Sequence, residues 1–526
     1  MTRRLPRWAP PFVAVLAGLA AAAAHPPFGV LPGLLAYGVI LRLGDEADPR
    51  RPLRSAFFRG WLAGVGYFAL GVWWVVEAFL VDAATYGWMA PFALLFMASG
   101  LALFWGAALW LYRLARPRGL GRVLVFAGVL SVVEWLRAHV LTGFPWNLPG
   151  ESWRAGGLVS QAASVIGVYG LTWLTVAVGA APALLFDPVP RTRRALGVAM
   201  AAVTLAALAG FGAYRLAAAA PVPGAGVRIR IVQANIDQKE KWRPENLPLV
   251  FESYVTLTTA PGRVRPDVVI WPEGALPAVI DDLLAPGSPY LARLTEMLQP
   301  GQTLLLGANR AQAGPGGTAR YFNSLIALRR EDAGLRVTGV YDKHRLVPFG
   351  EFVPLGDVAG RIGLRSLVHM PEDFTAGPPP RPLAPAGLPP VQPLICYEAL
   401  FPGFTTEAAE RAKLRPHWIV NVSNDAWFGA TSGPWQHLNL ASYRAIEEGL
   451  PIIRATPTGV SAVVDAFGRS TPQSRLGLGQ SGFIDSYLPA RLQPTLYSRL
   501  AETMFASMLL VSALFMGATR GLSRGA

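Results

Sequence analysis

Eight apolar runs dominate this chain and leave few folds open to it. They lie near residues 8–24, 27–41, 57–81, 88–112, 122–138, 158–186, 195–217 and 500–518. A helix needs roughly 17 to 25 residues to cross about 30 Å of bilayer hydrocarbon, so each run is expected to be a membrane span. The second is the least regular. Its "PPFGVLPG" start carries prolines and glycines, which a span tolerates where neighbours satisfy the freed backbone groups. The first has the basic "MTRR" start and small "AAAAH" residues of a signal peptide, yet more apolar runs follow at once and an uncleaved anchor is expected. With 52% apolar and 15% charged residues, the chain is too greasy for an ordinary soluble enzyme. Its formal charge of +14 does not point to nucleic acid, because the arginines sit in small clusters between apolar runs.

Those clusters set an orientation, since short cytoplasmic loops carry the excess of Lys and Arg. Arg3, Arg4 and Arg7 precede the first run, and Arg42, Arg50, Arg51, Arg54 and Arg59 surround the second loop. Arg113, Arg116, Arg118 and Arg122 mark the fourth loop, Arg191, Arg193 and Arg194 the sixth, and Arg520 and Arg524 follow the last run. The third loop, "VDAATYG", has none, and the fifth has Arg154 with Arg137 at its edge. Both termini are therefore expected in the cytoplasm and the long polar segment outside it. The expected division is a seven-helix transmembrane bundle over 1–220, a domain over 225–495 and a final transmembrane helix over 498–520.

The polar segment alternates short β-rich runs with helical patterns. "VRIRIVQANI", "PDVVIWPEGALP", "TLLLGANR", "SLIALRR", "PLIC" and "HWIVNVSND" read as strands, and 246–260, 288–298, 404–413 and 436–448 as helices. This alternation predicts a layered α/β domain with loops at strand ends able to carry a site. "AGPGG" and "AGPPPRPLAPAGLPP" read as surface loops. There is no internal repeat, no Gly-rich phosphate loop and no His or Cys cluster of metal-ligand spacing.

The domain holds the only cysteine in 526 residues, Cys396, in "PLICYEALFP". A cysteine is often just a small buried hydrophobe. Here it joins a strand to a helix, where backbone amides and the helix dipole favour thiolate and could bind an oxyanion. Outside the cytoplasm cysteines tend to be paired, so a single one retained there suggests reactivity. A nucleophile needs a base and a cation nearby, but His344, His369, His417 and His437 show no signature of one. "VVIWPEGALP" instead places Glu273 directly after a strand, among prolines and aromatics expected to raise its proton affinity. "YDKHRLVPFGEFVP" adds Lys343 and Glu351. Singly, such residues are often helix caps or solvated side chains. Together, at the ends of several strands, they resemble a constructed site.

"WPEGALP", "YDKHRLVPFGEFVP" and "ICYEALFP" resemble, in order and spacing, the Glu-Lys-Cys signatures of the nitrilase (carbon-nitrogen hydrolase) superfamily. Over essentially its full length the chain resembles that superfamily's membrane-bound branch, the bacterial apolipoprotein N-acyltransferases. The resemblance implies an extracytoplasmic α-β-β-α sandwich joined to a polytopic α-helical membrane bundle of about eight spans. It also implies a ping-pong acyl transfer. Cys396 takes an acyl chain from a phospholipid donor, phosphatidylethanolamine, and passes it to the amine of a diacylglyceryl-apolipoprotein. Glu273 is implied as general base and Lys343 as oxyanion stabiliser. Glu351 would orient them, Tyr397 and Glu398 would shape the turn at the nucleophile, and Trp242 in "QANIDQKEKW" would meet substrate. "VNVSNDAWFG" and "QHLNLASYRAIEEG" continue the pattern. The implied setting is the bilayer of the bacterial inner membrane, with the protein a monomer, and no nucleic acid, metal or organic cofactor is called for.

Several features stay open at this level. Val358–Met370 reads equally as a mobile arm over the site or as an amphipathic surface helix. Glu77 and Glu134 are costly in hydrocarbon, but near the outer ends of their runs they read as interfacial or structural. Trp146 and Trp153 read as interface anchors. A membrane-tethered amidase would use the same triad but would not need eight spans, a transporter would show repeats or intramembrane charges, and a scaffold would need neither the thiol nor Glu273.

Overall fold

The computed structural model describes residues 9–188, 190–218, 226–262, 264–314, 318–352 and 373–521. The chain packs as two compact units. One comprises Met1–Ala220, Thr431–Glu447 and Pro494–Ala526, the other Pro221–Ala430 and Glu448–Gln493. The 358–370 segment lies outside the described residues.

The first unit is helical. Its principal helices are Ala9–Ala23, Ala36–Asp45, Pro52–Gly71, Ala90–Ala115, Arg122–His139, Ala163–Ala180, Arg191–Ala217, Gly433–Glu448 and Thr503–Gly521. Glycines let their backbones touch: a Cβ at Gly18 would lie 1.9 Å from Ala63 O, and one at Gly66 2.2 Å from Val15 O. Small residues at crossings are how helices pack when the surroundings are as apolar as the side chains.

Among the described residues, three helices are long and apolar enough to cross a membrane, Ala83–Ala115, Val159–Phe186 and Arg191–Ala217. A fourth is added if Pro52–Gly71 and Trp73–Leu80, bent by 62°, make one span. Eight clear spans are therefore not seen, and the reasons are local. The run at 27–41 breaks into a 3-10 turn, Leu31–Leu35, before the ten-residue helix Ala36–Asp45. Ala9–Ala23 has 15 residues, only about 22 Å at 1.5 Å per residue. Arg122–His139 carries Arg122, Glu134 and Arg137.

Glu134 is fully buried, accepts a 2.6 Å hydrogen bond from Trp105 Nε1 and pairs with Arg137, a structural role. Glu77 is partly exposed at the start of a four-residue helix. Trp146 is buried and donates to Gln436 Oε1 at 2.9 Å, and Trp153 donates to Thr175 Oγ1 at 2.8 Å. Neither is the loose interface anchor expected, because each indole N–H finds an acceptor inside the unit.

The second unit is built on two sheets. The first contains β1 (Arg228–Gln233), β2 (Val268–Trp271), β3 (Thr303–Ala313), β4 (Ala319–Glu331) and β5 (Gly334–Asp342); the second contains β6 (Val391–Ile395), β7 (Trp418–Val422), β8 (Ile452–Ala455), β9 (Ser461–Val464) and β10 (Arg475–Leu476). β11 (Gly482–Tyr487) returns to the first sheet, giving orders β11-β1-β2-β3-β4-β5 and β10-β9-β8-β7-β6. β1, β2 and β3 are parallel, as are β6, β7 and β8, with antiparallel strands at the edges.

Side chains alternate across each strand. Ile229, Ile231, Val268, Ile270 and Leu305 face Val391, Ile395, Val420, Val422 and Ile453 in a core between the sheets. Val232, Val269, Trp271, Leu304 and Leu306 form a second core with Val250, Phe251 and Tyr254 of the helix Leu247–Thr259 and Leu294 of the helix Pro289–Met297. Strands β2, β6 and β7 are mostly apolar and fully buried because both of their faces are covered.

One contact fixes where β2 delivers its loop. Ala275 N donates to Gly307 O at 2.9 Å, and a Cβ at Gly307 would stand 2.3 Å from Pro272 O and 2.7 Å from Glu273 Cα. Gly307→Ala should therefore push the Trp-Pro-Glu turn off β3 and lower stability by about 1–3 kcal/mol. Thermal unfolding in detergent checks this, and an unchanged Tm would show that the turn yields freely.

Candidate active site

Glu273 follows β2 through Pro272, which ends the strand, and precedes Gly274, whose φ of +50° favours glycine. The carboxylate is buried and held on both oxygens. Oε1 accepts from Lys343 Nζ at 3.2 Å and Asn323 Nδ2 at 2.6 Å, and Oε2 accepts from Asn424 N at 2.6 Å. The apolar setting expected for Glu273 is thus not what surrounds it: donors from β4, the end of β5 and the end of β7 do.

Lys343 follows β5 and is 1% exposed. Its backbone N–H donates to Asn323 O at 2.8 Å, which continues the β4–β5 ladder and fixes the root of the side chain. Nζ also donates to Glu351 Oε1 at 2.8 Å. Burial alone would lower its proton affinity, but the charges of Glu273 and Glu351 outweigh it and hold Lys343 above the usual lysine range. Glu351 is tied in turn: Oε1 accepts from Asn323 Nδ2 at 2.8 Å and Oε2 from Val347 N at 2.8 Å.

Cys396 sits at the end of β6 with φ +48°, a left-handed conformation that is strained for a residue with a Cβ. It keeps some accessible surface and is not in a disulfide. Burial, then the Glu273 charge, pushes the thiol up to about 12, against the opposing pull of Lys343 and a hydrogen bond with Ser423. The expected stabilisation of thiolate by a helix start is overturned. Cys396 opens only a five-residue 3-10 turn, Cys396–Leu400, and the α-helix begins at Phe404. The thiol is therefore held protonated at neutral pH and needs a base beside it to react.

Glu398 clamps this turn to the one bearing Lys343. Its Oε2 accepts from Ile395 N at 2.9 Å, while Oε1 accepts from Tyr341 Oη at 2.9 Å, His344 N at 2.8 Å and Arg345 N at 3.2 Å. Burial raises its carboxyl to about 7 despite those donors. Tyr397 is buried, with its ring edge-on to Phe401 at 5.1 Å.

The structure thus gathers Glu273, Lys343 and Glu351 in one hydrogen-bonded cluster, and both Glu273 and Lys343 act electrostatically on Cys396. Trp242 is 38% exposed at the end of the turn Gln238–Lys241, its ring 5.4 Å from Lys241 Nζ. Sequence reasoning missed Asn323, Ser423 and Asn424. The "VNVSND" stretch contained two of them, but nothing in its pattern told which would face Glu273. Asn323 is hidden mid-strand in β4. Among the described residues no group of three or more His, Cys, Asp or Glu gathers as metal ligands.

This two-sheet domain, with a cysteine at the end of a parallel strand beside a Glu–Lys pair, falls in a known class: residues 228–488 match the family model of carbon-nitrogen hydrolases. Residues 17–181 match the apolipoprotein N-acyltransferase N-terminal domain. Apolipoprotein N-acyltransferase of Caulobacter vibrioides is 55% identical over 96% of this chain and 94% of its own length. The proteins of the same name from Rhodopseudomonas palustris and Brucella melitensis are each 40% identical, over 94% and 93% of this chain and 92% and 91% of theirs. A solved amidase from a Nesterenkonia species aligns at 19% identity and a TM-score of 0.35, over 53% of this chain and 98% of that one. The chain belongs to the apolipoprotein N-acyltransferase family.

Two outcomes are expected from this geometry. Glu398→Ala removes the acceptor of four hydrogen bonds joining the Cys396 and Lys343 turns, and should slow reaction at Cys396 by about 10²-fold while the protein stays folded. Single-turnover labelling with circular dichroism checks both. With the thiol at about 12, alkylation of Cys396 by iodoacetamide should climb through pH 8 to 11; a plateau below pH 9 would contradict a buried, protonated thiol.

Proposed function

We propose that this protein moves a fatty acyl chain from a membrane phospholipid to the N-terminal amine of a diacylglyceryl-cysteine lipoprotein, by way of a thioester on Cys396. The observation that carries the reading is the buried cluster in which Lys343 lies between Glu273 and Glu351, beside a thiol that is protonated at neutral pH. The names of the relatives support it as well.

In the first half-reaction Glu273 takes the thiol proton as sulfur attacks the ester carbonyl carbon. The oxyanion forms against Lys343 and the backbone N–H that follows Cys396. Its collapse breaks the carbon–oxygen bond, and Glu273 returns the proton to the departing lysophospholipid oxygen. In the second half-reaction the lipoprotein amine attacks the thioester and Glu273 takes its proton. The carbon–sulfur bond then breaks, giving an amide, and the proton restores the thiol. Glu351 orients Lys343, Glu398 and Tyr397 set the geometry of the nucleophile turn, and Trp242 meets substrate. Asn323 and Asn424 hold the base in line.

Both substrates are lipids, and withdrawing an acyl chain from a bilayer costs about 0.8 kcal/mol per CH₂, so an enzyme of this kind works at a membrane. We read all eight apolar runs as spans of the bacterial inner membrane, the shorter ones included, with both termini cytoplasmic and the catalytic domain periplasmic. The division is a bundle over 1–220, the catalytic domain over 225–495 and a last span over 498–520. Phosphatidylethanolamine is the donor and the monomer the working form.

Incubation with phospholipid followed by mass spectrometry should find one acyl group on Cys396, labile to hydroxylamine, and none in Cys396→Ala. Glu273→Gln should slow its formation by about 10²–10⁴-fold. A wild-type protein that gains no acyl group on Cys396 would overturn the reading.

A further inference from the structure

Lys241 and Gln238 have no part in the chemistry above, yet both are buried beside it, 1% and 6% exposed. They sit on the one-turn helix Gln238–Lys241, which Asp237 caps by accepting from Lys239 N at 2.9 Å and Glu240 N at 3.3 Å. Residues three apart on a helical turn lie on the same side. Among the described residues, Lys241 Nζ and both amide atoms of Gln238 have no hydrogen-bond partner. The contrast with Lys343 is direct, since that equally buried ammonium meets two carboxylates. A buried ammonium that has an aromatic ring beside it but no hydrogen-bond acceptor is expensive, and a chain that keeps one next to a reactive centre keeps it for something that arrives.

The position is set by Gly274, the residue after Glu273. A Cβ built there would meet only Lys241 Nζ, at 4.0 Å. Leaving aside Glu273 and Ala275, Lys241 Nζ is the described atom that comes within 4 Å of that position, so the ammonium stands next to the Glu273 turn. Glu273 acts on Lys241 through charge alone, and burial lowers the ammonium to about 8, so it remains cationic at neutral pH.

We propose that Lys241 and Gln238 form an anion subsite that holds the phosphodiester of the phospholipid donor. The inference rests on the acyl-transfer reading above. A phosphodiester is a monoanion with two oxygens in need of donors; the Lys241 ammonium and the Gln238 carboxamide nitrogen supply them, and neither donates to another described group. In a glycerophospholipid the phosphate is one glycerol unit away from the ester that Cys396 attacks, which suits a cation next to the turn that carries the base. Because the subsite excludes water, the ion pair formed there is stronger than at a surface. The lipoprotein acceptor has no phosphate, so the subsite serves the first half-reaction only.

The test is single-turnover acylation of Cys396 in the detergent-solubilised full chain, with two donors bearing the same acyl group: a phospholipid and an uncharged nitrophenyl ester. In Lys241→Met the ratio of phospholipid to ester acylation should fall about tenfold or more, the expected effect of losing a hydrogen bond to a charged group. Lys241→Gln, polar but uncharged, should lower the same ratio and is read instead if Lys241→Met does not fold. A ratio unchanged from wild type overturns the subsite, whether both rates fall together or neither falls. A wild-type protein that takes acyl groups from the ester but not from phospholipid would overturn the acyl-donor reading itself.

Discussion

Everything in the carbon-nitrogen hydrolase domain turns on one buried ammonium held between two carboxylates. Lys343 has almost no contact with water, and on its own it would be costly to bury. Glu273 and Glu351 make it tolerable, and Asn323, which donates to both carboxylates, fixes the spacing. Each of these contacts is a charge-assisted hydrogen bond in a dry place, and together they over-determine the geometry of the group. Preorganisation of this kind is what electrostatic catalysis requires, since the dipoles need not reorganise when charge moves.

The fold explains how residues 273, 343, 396 and 424 come together. Each lies just past the C-terminal end of a strand, β2, β5, β6 and β7 respectively. In sheets with parallel strands, ligand sites gather at those carboxyl ends, where loops are free to vary while the apolar strands stay put. The core between the sheets draws on residues from β2, β6 and β7, so the packing that stabilises the domain also sets the distances in the site.

Much of this was legible in the sequence, and for a reason. Glu273, Lys343 and Cys396 are each next to a short β-rich run, and a strand end is a place where a reactive group can be both fixed and accessible. Glu351 could be read because it shares the Lys343 segment. Asn323 could not, because an asparagine inside a strand has no pattern to mark it, and its role depends on which residues stand across the ladder. Glu273 was expected in apolar surroundings because the neighbouring letters are Trp and Pro; its real neighbours are far along the chain. Eight spans do not all stand out because hydropathy does not register a 3-10 break such as Leu31–Leu35, although the prolines and glycines of "PPFGVLPG" marked that run as the least regular. Trp146 and Trp153 show the same limit, since composition alone cannot tell an indole at an interface from one that has found an internal acceptor.

The thiol that burial and Glu273 keep protonated has a further chemical meaning. Peroxides and disulfide reagents attack thiolates, and their rates follow the fraction ionised. A sulfur held protonated by burial and a neighbouring carboxylate reacts slowly with such oxidants. With no second cysteine in the chain to complete a disulfide, the same arrangement that delays its reactivity also preserves it.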